Sequence, residues 1–141
     1  MAEDWHSLTL RVRYQETDAM GVVYHGNYAV WFELARTDWT RAQGMPYSEL
    51  EKRGLLLPVV DLSVKYRRPA RYDDLVEVRC KVAEFSPLRI AFDYEAHLAG
   101  RPDDVLATGA SRHVWVGRDW KPVRLDRAAP DVYAALAEAV T

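Results

Sequence analysis

One stretch of the chain limits its possible folds more than any other. Between positions 28 and 42 the apolar residues recur at spacings of three and four, the period of an α-helix: Tyr28, Trp31, Phe32, Ala35, Trp39 and Ala42. Asn27 is predicted to cap this helix, and Gly44 followed by Pro46 is predicted to end it. Because the apolar side chains spread over more than half of the circumference, the rest of the fold must cover the helix on most sides.

Strands are predicted for most of the remaining chain. Apolar and polar residues alternate in segments 8–14, 60–66, 76–82 and 88–98, and segment 105–116 is a further long strand with apolar residues on both faces. Short turns connect the last four strands, which indicates an antiparallel sheet. A short helix is expected between Pro46 and Arg53, and a terminal helix from Pro130. The pattern predicts an α+β fold in which a twisted sheet curls around the long helix, although cystatin-like folds share this order.

Composition narrows the possible functions. A length of 141 residues fits a single domain spanning 1–141. The formal net charge of −2 gives no support for nucleic-acid binding. Cys80 is the one cysteine, which rules out an internal disulfide and a cysteine-based zinc site. No apolar run approaches the roughly 20 residues that span a bilayer. The acidic, polar residues 1–6 are unlike a signal peptide, so a cytoplasmic protein is expected.

The loop before the long helix carries the most specific motif. Residues 14–28 read Tyr-Gln-Glu-Thr-Asp-Ala-Met-Gly-Val-Val-Tyr-His-Gly-Asn-Tyr. This segment resembles the signature of the 4-hydroxybenzoyl-CoA thioesterase family, and it is most similar to the branch of short-chain acyl-CoA thioesterases encoded beside Tol–Pal genes. The helix segment 31–37, segment 66–74, and the pairs at 108–109 and 113–114 extend the resemblance to about residues 6–125.

The resemblance implies a fold, an activity and an assembly. The implied fold is the hotdog, an antiparallel sheet wrapped around a long central helix. The implied activity is hydrolysis of an acyl-CoA thioester without a metal or another cofactor. Two subunits pair edge to edge in this family, dimers often pair again, and the active sites lie at the dimer interface. We therefore expect a homodimer or homotetramer with acyl-CoA as its substrate, and neither nucleic acid nor membrane as a partner.

Three residues at the motif are candidates for catalysis. Thioester hydrolysis needs a nucleophile or an activated water, and a group that stabilises the developing oxyanion. Mapped on the family motif, Asp18 is the catalytic aspartate, either as nucleophile or as general base. The resemblance places the oxyanion role on the backbone of about Tyr24, at the start of the helix, and His25 beside it is a candidate for acid–base chemistry or for positioning water. Glu33 is a rival carboxylate, but we expect it to pair with Arg36 or Thr37.

Basic residues near the surface are candidates for binding CoA. Arg89 corresponds to a basic run that meets CoA phosphates in benzoyl-type relatives, although this chain has only one arginine there. Further candidates are Lys65, Arg67, Arg68 and Arg71, each of which also fits a solvated strand face. The other histidines, at positions 6, 97 and 113, lack metal-ligand spacing and are expected to be structural.

Other functions remain open at this point. An acyl-carrier-protein thioesterase would use the same chemistry on a thioester carried by a protein. A non-catalytic hotdog module would bind an acyl thioester without cleaving it. A hotdog hydratase would need an Asp/His pair within a differently spaced motif, which this sequence does not show.

Overall fold

A five-stranded antiparallel sheet, packed against one long helix, is the centre of the structure. The computed structural model describes residues 5–140, so the four residues at the acidic N-terminus lie outside the described chain. The strands are β1 (His6–Arg11), β2 (Val59–Tyr66), β3 (Leu75–Phe85), β4 (Arg89–Leu98) and β5 (Val105–Val114), and the helices are α1 (Asn27–Ala42), α2 (Tyr47–Lys52), α3 (Leu125–Ala128) and α4 (Pro130–Ala139). The α+β fold predicted from the sequence is confirmed.

Strands β1 and β2 form the two edges of the sheet. The order is β1-β3-β4-β5-β2, and every neighbouring pair is antiparallel. Strand β2 therefore pairs with β5 on one side only, and the other edge of the sheet is β1. None of the helices within residues 5–140 is long and apolar enough to cross a bilayer.

Helix α1 is buried on the face that the sequence pattern predicts. Trp31 and Phe32 are completely inaccessible to solvent, and Phe32 stacks on Tyr94 of β4 with ring centroids 4.6 Å apart. Strand β5 has Gly109 at this contact. A Cβ atom at Gly109 would lie 2.5 Å from the Phe32 ring and 2.8 Å from the Ser63 carbonyl oxygen. Glycine at this position is thus what allows α1 to approach the sheet so closely.

Three predicted boundaries were wrong. Strand β1 ends before Tyr14, because residues Tyr14–Glu16 form a 3₁₀ turn that the Glu16 carboxylate closes by accepting a hydrogen bond from the Arg13 N–H. Asn27 is the first residue of α1 and Gly26 occupies the cap position, since the Asn27 amide donates instead to the Glu16 carbonyl oxygen at 2.8 Å. Strand β5 ends two residues earlier than predicted.

A chain of buried polar side chains crosses the core between α1 and the sheet. The Arg36 guanidinium donates to the Tyr94 hydroxyl at 3.4 Å, that hydroxyl lies 2.5 Å from Ser111 Oγ, and Ser111 Oγ lies 2.7 Å from His113 Nε2. Burial lowers the pKa of His113 to about 4, and the nearby Arg36 charge acts in the same direction. His113 is therefore neutral in the folded protein at neutral pH.

The lowered pKa predicts how stability depends on pH. Between pH 6.5 and about 4 the unfolded chain protonates His113 while the folded protein keeps it neutral, so the free energy of unfolding should decrease as the pH falls. We expect His113→Gln, which cannot titrate, to flatten this part of the curve. Chemical denaturation at pH 7, 6, 5 and 4 measures the difference, and parallel curves for the two proteins would contradict the prediction.

Candidate active site

The loop that carries Asp18 folds back on itself as a tight turn. Thr17 and Val23 form an isolated antiparallel bridge, and the Asp18 N–H donates to the Val22 carbonyl oxygen at 2.9 Å. Gly21 donates its N–H to the Asp18 carbonyl oxygen at 2.9 Å and has a φ of 79°. That conformation favours glycine, so the loop sequence has a suitable residue at its tightest point.

The Asp18 side chain is held in place and still available. One carboxylate oxygen accepts a hydrogen bond from the Met20 N–H at 2.9 Å, which fixes the rotamer. The other oxygen has no hydrogen-bond partner among residues 5–140, and the side chain is only half-buried. Asp18 thus has one carboxylate oxygen that is held in place and one that is available to a ligand.

Asp18 lines a cavity of about 280 Å³. The walls combine apolar side chains, one carboxylate, one imidazole and two guanidinium groups: Asp18, Met20, Val22, Val23, His25, Tyr28, Tyr66, Arg67, Arg68 and Pro69. Ligand pockets usually measure about 300–1,000 Å³ and are largely apolar with a few polar groups. The cavity of one chain is therefore just below that range, and Asp18 and His25 line it together, as the motif predicts.

Two N–H groups just before α1 have no hydrogen-bond acceptor within residues 5–140. The Tyr24 N–H, which the sequence analysis assigned to the oxyanion, donates to the Glu16 carbonyl oxygen at 2.8 Å and is not available in this conformation. The N–H groups of His25 and Gly26 have no acceptor within the described chain. Unpaired N–H groups at a helix start carry partial positive charge and bind anions. The Tyr24 N–H is therefore engaged in this structure, and the first N–H groups without an acceptor among residues 5–140 are the two that follow it.

Aromatic side chains hold His25 in position. Its carbonyl oxygen accepts a hydrogen bond from the Tyr66 hydroxyl at 3.0 Å, and its ring lies 4.4 Å from the Tyr24 ring. Tyr66 in turn packs edge-on against Tyr28 with centroids 5.4 Å apart. Strand β2 and helix α1 therefore both support His25, which lines the Asp18 cavity.

Glu16 is a buried carboxylate that the sequence analysis did not single out. Its side chain is 7% exposed, and one carboxylate oxygen accepts a hydrogen bond from the Trp31 indole at 2.9 Å. Burial acts to raise the pKa of Glu16, but hydrogen bonds from the Arg13 N–H, the Trp31 indole and the Arg13 side chain hold that pKa below its usual value. Glu16 lies inside the recognised motif, yet no local pattern marks it as buried, since Trp31 is fifteen residues away.

The rival carboxylate lies elsewhere. The side chain of Glu33 is 60% exposed and lies 3.9 Å from the Arg36 guanidinium, so the predicted pairing on the helix is confirmed. Glu33 is not among the residues that line the Asp18 cavity.

Among the candidate CoA-binding residues, Arg67 and Arg68 lie at the Asp18 cavity and Arg89 does not. Arg67 and Arg68 line the Asp18 cavity; Arg68 forms an ion pair with Asp104 at 2.5 Å, whereas Arg67 has no ion-pair partner within residues 5–140. Arg89 pairs with Val114 at the C-terminal end of β5. Tyr66, which lines the Asp18 cavity, pairs with Ala107 near the other end of that strand. One chain therefore does not bring Arg89 to Asp18, and Arg89 lines a separate cavity of about 230 Å³.

The remaining histidines each have a side-chain partner. His6 lies 2.8 Å from Asp38, His97 lies 3.0 Å from Glu77, and His113 belongs to the buried polar chain. Across the described residues, no three His, Cys, Asp or Glu side chains are grouped as metal ligands.

Comparison with known proteins identifies the family. The model of the thioesterase-like superfamily matches residues 12–138. The putative acyl-CoA thioesterase YneP of Bacillus subtilis is 34% identical over 131 residues, covering 92% of this chain and 94% of that protein. The acyl-CoA thioesterase YbgC of Haemophilus influenzae is 37% identical over 94 residues, covering 66% of this chain and 69% of that protein.

A solved structure agrees with the sequence comparisons. The DHNA-CoA thioesterase of Staphylococcus aureus superimposes with a TM-score of 0.89 at 38% identity, covering 96% of this chain and 90% of that one. The hotdog fold predicted from the resemblance is thereby confirmed. The match over nearly the whole chain leads to one conclusion: this protein belongs to the thioesterase-like superfamily.

Proposed function

We propose that this protein is an acyl-CoA thioesterase that cleaves an acyl-CoA into a free acid and CoA, with Asp18 as its catalytic carboxylate. Its superfamily and its relatives, which are named acyl-CoA thioesterases, make it a thioester hydrolase. One observation supports the site most strongly: Asp18, which has one carboxylate oxygen without a partner among residues 5–140, lines the same cavity as His25, whose N–H has no acceptor in that range. We also propose that the chain belongs to the Tol–Pal-associated branch of the 4-hydroxybenzoyl-CoA thioesterases, on the motif at residues 14–28.

The arrangement supports a simple course for the reaction. The thioester carbonyl oxygen accepts hydrogen bonds from the N–H of His25, and of Gly26 where it reaches, so that the negative charge of the tetrahedral intermediate develops next to the helix start. In one route the Asp18 carboxylate attacks the carbonyl carbon, the CoA thiolate leaves, and water then hydrolyses the acyl anhydride. In the other route Asp18 removes a proton from a water molecule that attacks directly. Both routes consume one water and yield the acid and the thiol.

Other side chains around the cavity have supporting roles in this proposal. The His25 imidazole lies where it could orient the attacking water or give a proton to the departing thiolate. Arg67 provides a cation without an internal ion-pair partner at the cavity edge, suited to the phosphates of CoA. Arg89 could reach CoA only from another subunit, because it lies at the far end of the sheet in its own chain.

The exposed edge of the sheet supports a paired assembly. Strand β2 exposes Val60, Leu62 and Tyr66 to 59%, 42% and 51%, and α1 exposes Val30 and Leu34 to 49% and 46%. An apolar, unpaired edge of this kind invites pairing with another strand. A second copy that pairs its own β2 antiparallel would place the Val59 end of one strand beside the Tyr66 end of the other. Each cavity would then be completed by the partner subunit.

Thioesterase activity should require neither a metal nor a nucleotide. The purified protein should hydrolyse acyl-CoA in the presence of EDTA and without nucleotide, because Asp18 and backbone N–H groups provide the whole reaction in this proposal. A panel of short aliphatic, long aliphatic and aryl acyl-CoA thioesters, with release of free thiol as the readout, gives the acyl preference. Matched thioesters of acyl carrier protein test the alternative carrier. Intact thioester after long incubation would favour the non-catalytic binding module instead.

Three single substitutions should lower kcat to different extents. Asp18→Asn keeps the size of the side chain and its hydrogen bond to Met20 but loses the charge, and should lower kcat by about 100- to 10,000-fold while acyl-CoA binding persists. His25→Ala should lower kcat less, because its backbone N–H remains. Glu33→Gln should have the smallest effect, since Glu33 lies outside the cavity. The reverse order, with Glu33→Gln inactive and Asp18→Asn mild, would show that the wrong carboxylate is assigned here.

The purified protein should be at least a dimer. Light scattering at micromolar concentration should give at least twice the mass of one chain. Leu62→Lys places a charge on the apolar β2 edge and should shift the protein toward monomer and lower its activity. Leu88→Lys is the matched control, because Leu88 is also 42% exposed but lies outside β2, and it should leave the mass unchanged. A monomeric wild-type protein would refute the paired assembly.

A further inference from the structure

Four hydrogen bonds converge on Glu16 from two sides of the loop. Its carboxylate accepts one from the Arg13 N–H at 2.8 Å and one from the Trp31 indole at 2.9 Å. Its carbonyl oxygen accepts one from the Tyr24 N–H at 2.8 Å and one from the Asn27 side chain at 2.8 Å. Glu16 therefore connects the 3₁₀ turn, the residues before α1 and the first turns of α1 itself.

The Glu16 carboxylate is almost completely buried and is held there by hydrogen bonds. The Glu16 side chain is 7% exposed, and Trp31 is completely buried behind it. The nearest cation, the Arg13 guanidinium, lies 3.5 Å away and its side chain is 64% exposed. Burying a charge is costly unless it is fully hydrogen-bonded, and charge-assisted hydrogen bonds are short and directional. Glu16 thus fixes the distance and the angle between the loop and α1 more strictly than an apolar contact would.

Glu16 also determines which N–H groups before α1 lack an acceptor among residues 5–140. Because its carbonyl oxygen accepts the hydrogen bond of the Tyr24 N–H, the first unpaired N–H groups are those of His25 and Gly26. Asp18 follows Glu16 by two residues on the same short segment, so a shift of Glu16 would move Asp18 with it. The two halves of the proposed site are therefore both positioned by one residue.

We infer that Glu16 is a positioning residue, which holds the Asp18 carboxylate and the unpaired N–H groups at the start of α1 in register for the reaction. This inference rests on the proposed thioesterase function. Glu16 does not line the cavity and does not touch the substrate in this account; it acts through Asp18 and His25. The residue should therefore affect the rate of the chemical step more than the binding of acyl-CoA.

Glu16→Gln is the sharpest test because the two carboxylate oxygens both accept from N–H donors. A glutamine has only one acceptor oxygen, so its NH₂ group must face either the Arg13 N–H or the Trp31 indole. We expect kcat to fall by about 10- to 100-fold with KM changed by less than about threefold, as for a misplacement of roughly 1 Å. Trp31→Phe removes the hydrogen bond between the indole and the Glu16 carboxylate from the other side. It should lower kcat similarly, and the double variant should show little further loss.

Glu95→Gln is the matched control. Glu95 is a partly buried carboxylate whose side chain is 18% exposed, and it forms an ion pair with Arg79 at 2.8 Å on the β3–β4 ladder, away from the cavity. Its substitution should lower the free energy of unfolding without lowering kcat of the folded enzyme. If Glu16 had only a structural role, Glu16→Gln and Glu95→Gln would behave alike.

Amide hydrogen exchange gives a readout that does not depend on turnover. In Glu16→Gln the Tyr24 and Asp18 N–H groups should exchange faster than in the wild type, whereas Glu95→Gln should leave them unchanged. Unchanged exchange, a kcat within about twofold of wild type, or a loss of kcat only in proportion to the folded fraction would each overturn the inference. A wild-type protein without thioesterase activity would refute the proposed function, and faster loop exchange in Glu16→Gln would then still identify Glu16 as the residue that positions the loop.

Discussion

The packing of helix α1 against the sheet is the contact on which the rest of this structure depends. Trp31 and Phe32 are fully buried there, and Phe32 lies against Tyr94 with Gly109 leaving room for its ring. Burial of large aromatic side chains contributes much of the stability of a small domain. Because the helix is fixed along its length, its first turn is fixed too, and so are His25 and Gly26 directly before it, whose N–H groups have no acceptor among residues 5–140.

Hydrogen bonds between polar side chains fix the orientation of α1 more strictly than this apolar packing does. Hydrophobic burial alone would tolerate a sliding or rotated helix, whereas hydrogen bonds have preferred distances and angles. Arg36 in the middle of α1 is connected through Tyr94 and Ser111 to His113 on β5, and Trp31 nearer the start is connected to Glu16 in the loop. Two polar contacts at different heights on one helix therefore fix its register and its rotation.

One wall of the cavity comes from β2, the strand at the edge of the sheet. The apolar side chains of β2 are exposed, and Tyr66 at the end of this strand belongs to the wall of the cavity. The same strand thus contributes to the site and presents the surface suited to a second copy. In the proposed pairing through β2, a second copy would therefore lie next to the cavity that Asp18 lines.

The sequence by itself determined the periodic elements, because the spacing of apolar residues is a local property that follows from helix and strand geometry. It also singled out Asp18 and His25, which lie within one continuous motif and in one cavity. The tertiary structure alone decided which N–H groups remain unpaired, that Glu16 is buried, and that Arg89 lies far from Asp18. These features depend on hydrogen bonds and strand registers between residues distant in the chain. A local pattern carries no record of those partners, so the sequence could not show that the Tyr24 N–H is bound to the Glu16 carbonyl oxygen.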